Sequence, residues 1–268
     1  MVIPGQLGDC AQDGDQDRDF AWLDAGGDVN DADQQGFTLL CCCACGDTNH
    51  GSIYAAQMAM ARALLARGAD VNRTYSGPGP QHEDDLISYC EGDTPLHHAC
   101  VNRYASCLDM INLLIDAKAN VNARNDGGKT PLWKALHQEV RDQSIAYRNV
   151  YGERLRVILD IVRVLIRHGA SLDCGAEDSA TYSAEDKLAT FKHADDESAV
   201  AIKALFAGVR KHGTYKRYMR APHREFLALR GLAQRGKLRT DHPALAFLAK
   251  QGDNGVVWHV LTYWRPTE

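Results

Sequence analysis

Four threonines constrain this chain more than anything else in it. Asn30, Asn122 and Asp173 precede Thr38, Thr130 and Thr181 by eight residues each, while Asn72 precedes Thr94 by twenty-two. Three equal links among four are not a product of composition. The chain is therefore a set of internal copies on a fixed connection, with fourteen residues inserted into one link.

The clearest copy begins Asp93-Thr94-Pro95-Leu96-His97-His98-Ala99-Cys100, continues through Asn112 to Ala123, and starts over at Gly128-Lys129-Thr130-Pro131-Leu132-Trp133. Thr94 caps the helix it precedes, and Pro95 at the first helical position loses nothing by lacking an N–H. Leu96, Ala99 and Cys100 then share one face, and Ile111, Leu113, Leu114 and Ile115 supply a facing stripe from a second helix. A helix pair this short cannot bury its apolar face alone, so it needs copies on either side. The expected fold class is all-α, a solenoid of antiparallel helix pairs.

This unit closely resembles the ankyrin repeat, with its Thr-Pro-Leu-His opening and period of about 33 residues. The resemblance implies finger loops between helix pairs. The fingers and the exposed side of the first helices would line a concave groove for a protein partner. It also makes His97 a structural residue that bonds backbone groups and stiffens its turn.

Three regions follow. Residues 1–16 read as a mobile polar tail; 17–208 as the solenoid, with a half-repeat cap, three full units and a worn C-terminal unit opening at Thr181; 209–268 as a basic helical module. From threonine to closing Asn or Asp the full units span 34, 28 and 43 residues, so extra length is expected between the helices near 46–57 and 137–154. The 73–92 link carries Tyr75, then His82-Glu83-Asp84-Asp85 and Tyr89, an acidic loop tipped with aromatics. A long surface loop costs little per added residue, so a merely tolerated linker is the bland alternative. Helices are expected at 224–234, 244–248 and 255–264. This tail resembles one carried by ankyrin-repeat proteins of algae and related protists. It is only weakly similar to an F-box or SOCS-box adaptor that recruits a ubiquitin ligase. Gly231 stands where a SOCS box has cysteine, and Asp253-Asn254 where an F-box opens with Leu-Pro.

The net charge of −5 conceals an asymmetry: residues 209–241 hold ten Lys or Arg against Glu225 and Asp241, leaving −13 for residues 1–208. These cations fall on several faces rather than one stripe. Docking on the acidic body is the simpler account, with nucleic acid or an anionic surface as the lesser alternative. Nine cysteines, an odd count, and the absence of a signal-like N-terminus suit reduced thiols in a cytoplasmic or nuclear setting. In Cys41-Cys42-Cys43-Ala44-Cys45 only Cys41 and Cys45 share a face, and Cys43 takes the place of Ala99, so no metal is expected. Phosphate-binding glycine motifs and a Gly-x-Ser-x-Gly elbow are absent. No cofactor and no enzymatic activity are expected.

The resemblance directs attention to fingertips and exposed first-helix positions. There the expected partner-binding residues are Phe37, Tyr75, Glu83, Asp84, Asp85, Tyr89, His98, Arg103, Tyr104, Arg124, Asn125, Lys129 and Lys134. Aromatic anchors would supply affinity, and the acidic groups would select a protein with a basic surface.

Overall fold

The computed structural model describes residues 16–34, 36–45, 51–77, 90–101, 107–137, 148–177, 180–191 and 194–235. In order come α1 (Gln16–Asp24), α2 (Leu39–Cys45), α3 (Gly51–Ala66), α4 (Pro95–Val101), α5 (Cys107–Asp116), α6 (Pro131–His137) and α7 (Arg148–Arg167). A hairpin of β1 (Asp173–Glu177) and β2 (Ala180–Ser183) follows, then α8 (Ala184–Ala189), α9 (Glu197–His212) and α10 (Tyr215–Gln234). The fold is an all-α solenoid whose described strands are confined to that one finger. Among the described residues no helix is long and apolar enough to cross a membrane.

Thr38, Thr94 and Thr130 each open a first helix. The Thr38 hydroxyl accepts the Cys41 N–H at 3.2 Å, and that of Thr130 accepts the Trp133 N–H at 3.4 Å. At Thr94 the imidazole joins in: His97 Nδ1 accepts the Thr94 N–H at 3.0 Å, which leaves Nε2–H to donate to the Lys129 carbonyl at 3.0 Å. His97 thus ties its own turn to the next finger.

Two residues past each threonine, Leu40, Leu96 and Leu132 are buried; five past, Cys43, Ala99 and Ala135 are buried and small enough for helices to approach closely. First helices stack in sequence, α2 on α4, α4 on α6 and α6 on α8. Each of the first three also packs on its own second helix, and α5 packs on α7. Every fully buried leucine in this stack contributes about 1.5–3 kcal/mol of transfer free energy.

Three expectations change. The surplus of the Thr38 unit, 34 residues against 28, appears as a longer second helix, since α3 has 16 residues and α5 has 10. α7 likewise reaches 20 residues. Added turns that extend an amphipathic stripe bury more apolar surface than a loop of equal length. Thr181 does not open a helix: it lies in β2, paired with Ala176. Ser183 is the cap, exchanging bonds with Asp186 in a capping box, because the hairpin carries the chain two residues further before it turns.

Lastly, α10 begins at Tyr215 rather than Arg224 and runs through Pro222. Gly213, at φ +80°, ends α9, and the Thr214 hydroxyl accepts the Arg217 N–H at 3.2 Å to start the new helix. The compact units are Met1–Phe206 and Ala207–Glu268. Within the second, a Cβ at Gly208 would run into the Tyr218 ring, so the glycine lets α9 and α10 approach closely there. Residues 1–15 and the expected helices at 244–248 and 255–264 lie outside the described residues.

Candidate functional site

The fingers ahead of Thr38 and Thr130 are closed by the same backbone frame. In the first, Asp33 N–H donates to the Phe37 carbonyl at 2.8 Å, and the Asp33 side chain accepts the Phe37 N–H at 2.8 Å. Asn125 repeats this with Lys129, at 3.1 and 2.9 Å. Gly36 and Gly128, at φ +92° and +70°, supply the left-handed residue that the turn requires.

The inserted finger keeps this frame despite its length. Tyr75 N–H donates to the Asp93 carbonyl at 2.6 Å, and Gly92, at φ +82°, donates to the Tyr75 carbonyl at 3.0 Å. The missing Asx side chain is replaced by Asp93 itself, whose Oδ2 accepts the Cys90 N–H at 2.8 Å. The insertion is therefore pinched shut at a neck of Tyr75, Cys90, Gly92 and Asp93.

Neighbouring units interlock through one recurrent slot. The residue just before each threonine meets the residue four past the next cap. Phe37 stacks against His98 with ring centroids 5.7 Å apart, and Tyr75 closes the triangle at 4.4 Å from Phe37 and 6.1 Å from His98. One unit on, Asp93 meets Lys134 at 2.7 Å, both buried. Asn125 Nδ2 donates to the other Asp93 oxygen at 2.8 Å. In the third slot Lys129 and Lys187 both lie over the Trp133 ring, at 4.3 and 4.9 Å.

The charges obey their surroundings. Burial is the largest single influence on the Asp93 carboxyl and pushes it up, but the Lys134 ammonium and its hydrogen bond, together with the neighbouring His98 and His97, hold the group below its ordinary value. Burial drives His98 down to about 3 against the pull of Asp93, so it is neutral at physiological pH. Burial likewise raises the thiols, Cys41 to about 11 and Cys107 to about 12, which leaves them protonated core residues. No group of three or more potential ligands converges on a metal position among the described residues.

Several expected surface residues are thus interior. Phe37, Tyr75, His98, Asn125 and Lys134 are buried, at no more than 6% exposure, and hold units together instead of facing outward. The reason is the slot: a short first helix leaves the fourth position past the cap beneath the preceding finger. Arg124 is exposed, clamped by donating to the Gly128 carbonyl at 2.7 Å and the Asp173 carbonyl at 3.0 Å, and Lys129 is half-buried. Glu83, Asp84, Asp85, Tyr89, Arg103 and Tyr104 lie outside the described residues, as does 256–261 of the adaptor-like motif.

Two features escape the sequence reading. Asp93 is the hub of the second junction, and its place before Thr94, matching Phe37 and Lys129, is the signal. The closing asparagines are staples as well as markers. The side-chain oxygens of Asn30, Asn72 and Asn122 accept the N–H of Asp70, Asn120 and Ser171 in the following unit, at 2.7, 2.8 and 2.7 Å.

No curated protein matches the chain. Residues 53–146 match the family model for ankyrin repeats in three copies, and the stacked helix pairs over that span, with their capped openings and closed fingers, are ankyrin repeats.

Proposed function

We propose that this chain is a non-enzymatic scaffold that binds a protein partner through its fingers, the partner presenting a basic surface. Ankyrin repeats support an interaction role in general. The observation that carries the finer reading is the neck: fourteen extra residues leave and re-enter the solenoid without disturbing the frame of the short fingers. Closing the root of a loop removes part of the conformational freedom that binding would otherwise cost. Its sequence contributes Glu83-Asp84-Asp85, and the exposed residues Glu91 and Asp126 flank the neck, joined by an Asp126 N–H to Glu91 carbonyl bond of 3.0 Å. Acidic residues arranged this way select basic targets and speed encounter with them. The buried thiols of Cys41, Cys42 and Cys43 support a reducing cytoplasmic or nuclear setting.

Affinity capture with the parent chain and with E83Q/D84N/D85N tests this reading. The expected result is a set of basic proteins held by the parent and lost from the variant, with unchanged thermal melting. Equal recovery on both baits removes the inserted finger from recognition.

A further inference from the structure

The continuity of α10 changes what its charges do. A helix started at Arg224 scatters the basic residues, whereas one started at Tyr215 aligns them. At about 100° per residue, Lys216, Arg217, Arg220 and Arg224 fall within an arc of roughly 100°, and Arg235, one residue past the helix, returns to the line of Arg217. All five are exposed, while Tyr218 and Leu232, on the other side of the helix, are half-buried. The row from Arg217 to Arg235 extends about 27 Å at 1.5 Å per residue.

A row like this is costly to leave bare. Like charges three and four residues apart repel by a few tenths of a kcal/mol per pair, and exposed helices usually intersperse carboxylates. Glu225 is the only acidic residue in α10 and is out of register with the row. The whole unit from Ala207 to Glu268 holds twelve Lys or Arg against four Asp or Glu. A ligand that is itself continuous and anionic would supply the counter-charge along the whole row. Four of the five cations are arginine, whose planar fork grips phosphate oxygens in pairs. A nucleic acid provides such phosphates without interruption, about one charge per 1.7 Å of duplex axis. A single exposed leucine on this face, Leu227, is too little apolar surface to seat the helix in a bilayer.

We propose that α10 is a nucleic-acid-binding helix, laying the row of Lys216, Arg217, Arg220, Arg224 and Arg235 along a phosphate backbone without reading sequence. This surface is separate from the fingers and does not depend on their reading. The test is fluorescence anisotropy of the full chain with a random 24-base-pair DNA duplex and a random 24-nucleotide RNA, from low to moderate salt. Binding to at least one of them is expected, with log K falling against log salt at a slope of about −4 for the duplex. R220Q/R224Q then weakens binding by about tenfold or more near 0.1 M salt and flattens that slope by about 2. R220K/R224K keeps the slope, and R156Q, at an exposed position of α7, changes neither quantity. Absence of salt-dependent binding to either probe overturns the proposal, as does an unchanged slope in R220Q/R224Q. Polyglutamate that binds as tightly as nucleic acid and displaces it assigns the row to an acidic protein and also overturns it.

Discussion

Two junctions in this solenoid occupy the same slot and are held by opposite chemistry. Between the Thr38 and Thr94 units the slot is filled by the rings of Phe37, Tyr75 and His98; between the Thr94 and Thr130 units it holds the Asp93–Lys134 ion pair, with Asn125 and the Cys90 N–H completing the carboxylate. The first gains by removing apolar surface from water. The second must recover a desolvation cost of several kcal/mol per ion through close geometry and three hydrogen bonds to one carboxylate. The repeat frame evidently specifies a volume and a contact, not a residue class. An aromatic junction degrades gradually when trimmed, while an ionic one fails when either partner is removed.

That difference is where the two junctions can be broken. Lys134→Ala leaves Asp93 buried without its cation and is expected to cost about 3–5 kcal/mol, measured by urea denaturation. Removing both charges in D93N/K134M should recover most of that loss; a double variant as unstable as the single would show that the ion pair is not the source of the cost. Phe37→Ala, on the aromatic side, is expected to cost about 3 kcal/mol through the cavity it leaves, with no partial rescue from any charge change at position 93.

Acid should separate the sides further. The unfolded chain protonates His98 near pH 6.5, while the folded chain resists to about pH 3. Across that window the unfolded state holds the extra proton, so stability declines as pH falls, by about 1.4 kcal/mol per pH unit. The depressed Asp93 carboxyl adds a second loss only below the ordinary carboxylate range, as pH drops through its folded value. Thermal melts between pH 7 and 4 should show the decline in the parent and a shallower one in His98→Gln. The smallest effect is expected at the staples, where Asn122→Ala should cost about 1 kcal/mol, since the two bonds it removes, from the Ser171 N–H and to the Gly169 carbonyl, are exposed to water.

Much of the architecture was legible because it repeats. The threonine caps, the paired leucines and the constant link exposed the unit, and the apolar periodicity placed Leu96, Ala99 and Cys100 on the core face where they are buried. The site was legible only in part, and for a physical reason. His98, Lys134 and Asn125 carry side chains that normally seek water, and nothing within one copy announces that a neighbouring copy supplies a partner for each. Aligning copies by their threonines puts Phe37, Asp93 and Lys129 in one column and Cys42, His98 and Lys134 in another. Charge opposition between Asp93 and Lys134 then becomes visible. Thr181 misled for the converse reason: its spacing matched, but Ser183-x-x-Asp186 offered a reciprocal cap two residues later. The start of α10 at Tyr215 was not legible, because Pro222 lies inside the helix, where proline is ordinarily unfavourable.

The inserted finger is rooted in the same closed frame as the short ones, and native-state hydrogen exchange at single-amide resolution can establish it. The amides of Tyr75, Gly92 and Asp93 are expected to exchange as slowly as those of Asn125, Gly128 and Lys129, their counterparts in the next finger. Exchange at the neck near unprotected rates, beside slow exchange in the short fingers, would contradict it.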